Sequence, residues 1–299
     1  METACSPISA SLDELVQLAE PARRLRLAPQ VARARQWGQY LSRLRGRGME
    51  YAESRPYEPG DDLRNMDWRV TARMGRPFSK LFREERERPV LLLVDGRATL
   101  FFATRGRFKW VRVQQAAALL AWAAHRGGDR VGGELYTGAR HREFQPRRGK
   151  GPLLRFLKAL TDHTPAAAGG GTLVEPLRRL QHTAHPGSLV VVLSDFIGFD
   201  EAMARRLVRL ARHNDLVLFE VHDPLEAEPP PPGRYPVTDG SRRGVLDSRG
   251  DEAAENHRRR YRDRVEQLSR LCRQHGMTWL QCATDQDPVA LLTTAFGKR

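Results

Sequence analysis

Two carboxylates close fully apolar runs in this chain. Pro89-Val-Leu-Leu-Leu-Val94 ends on Asp95, and Leu189-Val-Val-Val-Leu193 ends on Ser194-Asp195. A buried strand that finishes on a carboxylate presents oxygen at the sheet edge where α/β proteins gather ligands. Thr172 adds a hydroxyl, because it follows Gly169-Gly-Gly171 and starts a helical stretch. Asp95, Thr172 and Asp195 together suit a hard cation such as Mg²⁺, which takes a few protein oxygens and keeps several waters. The plainer reading of each is a strand end or a helix cap.

A second concentration of chemistry lies upstream, in Arg55-Pro-Tyr-Glu-Pro-Gly-Asp-Asp-Leu-Arg-Asn-Met-Asp-Trp-Arg-Val-Thr-Ala-Arg73. It mixes Asp61, Asp62 and Asp67 with Arg55, Arg64, Arg69 and Arg73, two aromatics and a Pro-Gly turn. Two readings stay open. The aspartates pair with the arginines and lock an irregular subdomain, since buried charge needs partners. Alternatively Arg55, Tyr57, Asp61, Asp62, Arg64, Asp67 and Trp68 meet a binding partner, although Tyr57 and Trp68 are more naturally read as packing.

Enzyme signatures are thin. The chain has no Gly-x-x-x-x-Gly-Lys-Ser/Thr loop, no Gly-x-Ser-x-Gly elbow and no His-Glu-x-x-His pair. His182 and His185 lack a third ligand and read as loop residues; Cys272 and Cys282 read as core thiols. His222-Asp223 follows a strand and points to the same sheet edge, which alone is a weak catalytic signal. A non-enzymatic binding protein is therefore expected.

The elements that position these residues follow from periodicity. Residues 10–45 read as helical and residues 49–87 as irregular, with a short helix or strand near 66–72. Strands are predicted at 90–94, 130–136, 140–145, 189–193, 215–221 and 277–282, with a hairpin at 235–247. Helices are predicted at 108–125, 152–160, 173–182, 201–213 and 251–274, and a short one from Pro288. The stretch 225–233 holds four consecutive prolines and reads as extended and helix-free. Strands alternating with helices imply an α/β fold, a doubly wound and mainly parallel sheet.

Composition sets the remaining bounds. The chain has 299 residues, 40% hydrophobic and 29% charged, and a formal net charge of +14. Residues 21–48 carry eight arginines and no acid, an arm that suits nucleic acid or a membrane surface, or else a solvated helix face. No apolar stretch approaches the ~20 residues that span a bilayer, and the first residues lack a basic stretch followed by an apolar run. A cytoplasmic protein without a transmembrane segment is expected.

The order strand-Asp95, Gly-Thr172 before a helix, then strand-Asp195 resembles the von Willebrand factor A-like fold and its metal-ion-dependent adhesion site. The run from Arg55 to Trp68 resembles the bacterial MoxR-associated subgroup known as domain of unknown function 58. The resemblance covers about residues 40–220. It implies an N-terminal helical and irregular subdomain over 1–87 and a von Willebrand A-like domain over 88–299. It also implies a binding role beside a MoxR-type AAA+ ATPase, as an adaptor or co-chaperone acting on a client protein. The adhesion motif is Asp-x-Ser-x-Ser, whereas this chain has Asp95-Gly96-Arg97-Ala98-Thr99. Asp95, Thr99, Thr172 and Asp195 would form the metal site, but Arg97 has no acceptor and puts a cation where Mg²⁺ belongs. The site is thus degenerate: no cofactor is expected, or Mg²⁺ if it still binds a cation. Arg97 then pairs with Asp95 or Asp195, or meets a carboxylate of the partner.

Overall fold

The computed structural model describes residues 6–27, 49–58, 65–84, 88–138, 140–164, 171–238 and 243–297. The chain groups into two compact units, Met1–Gln30 with Arg88–Arg299, and Val31–Glu87. The family resemblance implies one subdomain over 1–87. Instead, the first residues join the larger unit, because Ala10, Leu15, Ala22 and Leu25 are buried in its core. The long helix expected over 10–45 is, where described, a short one. Helix α1 (Leu12–Gln17) is capped by Ser11, whose hydroxyl accepts from the Glu14 amide at 3.1 Å, and a 3₁₀ turn follows at Pro21–Arg24.

The smaller unit is more regular than its mixed composition suggests. Its described residues include strand β1 (Met49–Pro56), helix α2 (Trp68–Met74) and strand β2 (Phe78–Glu84), with β1 antiparallel to β2. Asp67 caps α2: its carboxylate accepts from the Val70 amide at 3.2 Å and the Ser54 hydroxyl at 2.7 Å. Gly75 ends the helix in the left-handed region (φ 68°), which costs glycine nothing.

The larger unit continues with β3 (Pro89–Asp95), α3 (Lys109–Arg126), β4 (Arg130–Tyr136), β5 (His141–Arg147), α4 (Lys150–Thr161), α5 (Val174–Thr183) and β6 (Leu189–Ser194). Then come α6 (Glu201–Ala211), β7 (Asp215–His222), α7 (Pro224–Ala227), the hairpin β8 (Arg234–Thr238) and β9 (Arg243–Asp247), α8 (Asp251–His275), β10 (Thr278–Ala283) and α9 (Pro288–Phe296). The expected helix-free stretch thus opens on a short helix, because Asp223 and Glu226 form a capping box around Pro224.

The main sheet runs β10-β7-β6-β3-β4-β5, parallel throughout except for β5, which pairs antiparallel with β4. Val90 to Val94 and Leu189 to Leu193 are all buried, as strands covered on both faces must be. Residues of α1, α3, α4 and α9 cover one face and residues of α5, α6 and α8 the other. Arg88 secures the opposite, N-terminal edge of the sheet: its guanidinium pairs with Asp215 and donates to the carbonyls of Gly187 and Leu27, each at 3.2 Å. After β3 the chain adds β4 on one side, and β6 then returns to the other. The topological switch point, the place where open α/β sheets gather ligands, therefore lies at the carboxyl ends of β3 and β6.

Candidate functional site

Parallel pairing of Val94 with Leu193 brings Asp95 and Ser194-Asp195 side by side at this switch point. Both aspartates are fully buried. Ser194 joins the two strand ends: its hydroxyl donates to Asp95 Oδ2 at 2.7 Å and accepts from the Phe196 amide at 2.9 Å. That second bond helps hold Phe196 at φ 50°, the only non-glycine residue at positive φ among those described. The Ile197 amide donates to Asp195 Oδ1 at 3.0 Å.

Arg97 fills the space between the carboxylates. Its Nε donates to both Asp95 oxygens at 3.0 Å and its Nη2 to Oδ2 at 2.8 Å, while Asp195 Oδ1 lies 3.5 Å from Nη2. Its Nη1 donates to the carbonyls of Gly171 (3.0 Å) and Ile197 (3.3 Å). The guanidinium therefore ties three loops, those after β3, before α5 and after β6. Its side chain is only 7% exposed. The sequence reading also allows Arg97 to meet a partner's carboxylate; in this geometry its donors face groups of this chain.

A second cation, Lys109, was not legible in the sequence. From the first turn of α3 its buried ammonium donates to Asp195 Oδ2 at 3.0 Å and to Glu226 Oε1 at 2.7 Å. Glu226 in turn accepts from Arg264 of α8 at 2.7 Å, and Arg264 Nε lies 3.8 Å from the buried Glu220. A chain of charges thus runs from Asp95 to Glu220. Burial would discharge Lys109, but Asp195 and Glu226 outweigh it and raise its pKa. Burial likewise pushes Asp195 up, yet Lys109 and Arg97 prevail and hold it low. Glu220, with weaker partners, is pushed by burial up to about 7.

The other expected site residues lie elsewhere. Thr99 and Thr172 are exposed, and neither hydroxyl joins the Asp95–Asp195 cluster. Asp67 is buried, with its oxygens given to the α2 cap and Ser54. Arg55 is half-buried and pairs with Glu58 at 3.1 Å, and Tyr57 is half-buried. Trp68 reverses the packing expectation: it is 70% exposed. Asp61, Asp62 and Arg64 lie outside the described residues, as do residues 28–48 of the basic arm. Asp223, noted with His222, is buried and accepts from Thr104, Leu225 and Thr284, a tie between loops. Cys272 and Cys282 are buried, their thiols pushed by burial up to about 12.

A family model described as protein of unknown function DUF58 matches residues 53–270. The chain belongs to the DUF58 family. This is the MoxR-associated, von Willebrand A-like family that the segment from Arg55 to Trp68 resembles. The chain is also similar to the uncharacterized protein Rv1480 of Mycobacterium tuberculosis and to Mb1516 of Mycobacterium bovis. Each is 31% identical over 264 residues, covering 88% of this chain and 83% of its own. The conserved hypothetical protein BatB from Bacteroides thetaiotaomicron is 13% identical with a TM-score of 0.45, over 70% of this chain and 94% of its own. An aerotolerance-related membrane protein from Bacteroides fragilis is 12% identical with a TM-score of 0.45, over 68% of this chain and 96% of its own. Among the described residues of this DUF58 chain, no helix is long and apolar enough to cross a membrane.

The adhesion-site pattern implies a divalent cation, and the residues present do not fit one. Both oxygens of Asp95 accept from Arg97, and those of Asp195 accept from Ile197 and Lys109. Mg²⁺ needs open carboxylate oxygens and room for its waters, and here two cations already neutralise the two aspartates.

Proposed function

We propose that this chain is a non-catalytic protein-binding adaptor or co-chaperone that works beside a MoxR-type AAA+ ATPase in the maturation or remodelling of protein complexes. Trp68 carries this reading. It is 70% exposed at the start of a helix whose N-terminus is fixed by Asp67 and Ser54. A rigid, exposed tryptophan is the residue type that dominates interface energetics. Met74, 55% exposed, and the exposed Arg69 and Arg73 lie on the same helix. Such a helix suits a partner surface that is part apolar, part acidic. The switch point supports the non-catalytic half of the reading. Its ionisable groups are spent on one another, and Ser194, whose hydroxyl donates to Asp95, is fully buried.

The test is affinity capture from the native lysate at low and high salt, with and without ATP and Mg²⁺, read by mass spectrometry. A MoxR-type AAA+ ATPase retained at high salt, and lost with Trp68→Ala while the circular dichroism stays unchanged, is the expected result. Recovery only of nucleic acid or lipid, released by salt as counterion-driven contacts are, would replace this reading with a surface-binding role for residues 21–48.

A further inference from the structure

We infer that Arg97 and Lys109 are a permanent, protein-borne replacement for the divalent cation of the adhesion-site pattern, so that the wild-type switch point binds no metal and Arg97→Ser opens it to one. The inference does not depend on the proposed adaptor role.

Three observations carry it. The first is position. The Arg97 guanidinium touches Asp95, the Gly171 carbonyl and the Ile197 carbonyl, and lies 3.5 Å from Asp195. These groups belong to the loops that follow β3, precede α5 and follow β6, which are the loops a bridging ion would gather. The second is charge. Two aspartates face one guanidinium and one ammonium, all buried, so the set is balanced without an added ion. A divalent ion entering here would meet two fixed positive charges in a poorly screened interior. The third is chemistry. Guanidinium and ammonium are donors only, so neither can ligate a metal, yet both satisfy carboxylates as an ion does. Arg97 does so in the forked geometry that suits a carboxylate. Lys109 supplies a compact point charge whose second contact, to Glu226, lies beyond the aspartates.

Arg97→Ser removes one cation and its side-chain bonds to Asp95, whose oxygens then accept only from the residue 97 amide and the Ser194 hydroxyl, and places a hydroxyl two residues after Asp95, which restores the first half of an Asp-x-Ser-x-Thr set. Mn²⁺ followed by electron paramagnetic resonance is the probe. Wild-type protein is expected to bind none in the millimolar range, with its thermal midpoint unmoved by Mn²⁺, Mg²⁺ or EDTA. Arg97→Ser is expected to bind one Mn²⁺ per chain and to gain thermal stability with it, and Arg97→Ser/Asp95→Asn to lose both. One Mn²⁺ per wild-type chain, removed by Asp95→Asn, would overturn the inference, as would a folded Arg97→Ser that binds none. If Arg97→Ser does not fold, the wild-type titration and thermal shift alone decide.

Discussion

Lys109 and Asp195 form a buried ion pair, Nζ to Oδ2 3.0 Å, that joins the first turn of helix α3 to the end of strand β6. The same ammonium holds Glu226 at 2.7 Å, so one lysine neutralises groups from two further elements. Removing one member of a buried pair is costlier than the pair is stabilising, because the remaining buried charge loses a compensating partner. Lys109→Met keeps the volume and removes the charge. It should cost about 3–5 kcal/mol, read by urea unfolding with the neighbouring, buried Trp110 as fluorophore. Adding Asp195→Asn should return part of that loss. A Lys109→Met protein as stable as wild type would mean that water or Arg97 already satisfies Asp195.

The loop before α5 is held as tightly by sterics as by charge. Gly171 gives its carbonyl to Arg97, and a Cβ built on it would meet the Tyr136 hydroxyl at 2.0 Å and the Gly138 carbonyl at 2.7 Å. The first contact can be relieved by moving a side chain, whereas the second is backbone. Gly171→Ala should therefore displace the loop, weaken the Arg97–Gly171 bond and cost about 1–3 kcal/mol, the usual range for overpacking. The check is thermal unfolding together with hydrogen exchange, which should speed up in the segment that starts α5. Exchange unchanged there would show that the loop accommodates a methyl group.

Much of this arrangement was legible in the sequence, and what was not has identifiable causes. Strands β3 and β6 stood out because a strand buried on both faces is a continuous apolar run, and their closing aspartates came with them. A pairing of Arg97 with Asp95 or Asp195 is one of the readings left open by its place in the adhesion-like motif. Its burial was not legible, since the covering carbonyls of Gly171 and Ile197 are 74 and 100 residues away. Lys109 was hidden for the same reason: the carboxylates that permit it to be buried lie 86 and 117 residues on, and locally it reads as a helix start. Asp67 resembled a recognition residue because its charge is visible in sequence, while the cap it makes depends on where α2 begins. Trp68 was read as packing on residue type alone, and the fold leaves it exposed.

Glu220 contributes to the pH dependence of the larger unit. Its carboxyl is fully buried on β7; Trp279 and Gln281 donate to Oε2 at 3.0 and 3.2 Å, while Oε1 accepts no hydrogen bond and has Arg264 3.8 Å away. Burial, opposed by Arg264, Trp279 and Gln281, raises its pKa from 4.5 to about 7. A raised carboxyl favours the folded state fully while both states are protonated, below the ordinary glutamate pKa. As pH rises towards about 7 the unfolded chain ionises first, and that stability is lost through the folded pKa. Glu220→Gln stays neutral at every pH and can still accept from Trp279. It should match wild type near about pH 4.5 and become the more stable protein as pH climbs, by about 1–3 kcal/mol at about pH 8. Glu134, also pushed by burial to about 7, titrates in both proteins and cancels in the difference. Urea midpoints measured across this range decide the matter. If Glu220→Gln is instead less stable than wild type at high pH, then Glu220 is ionised in the fold and Arg264 is its true partner.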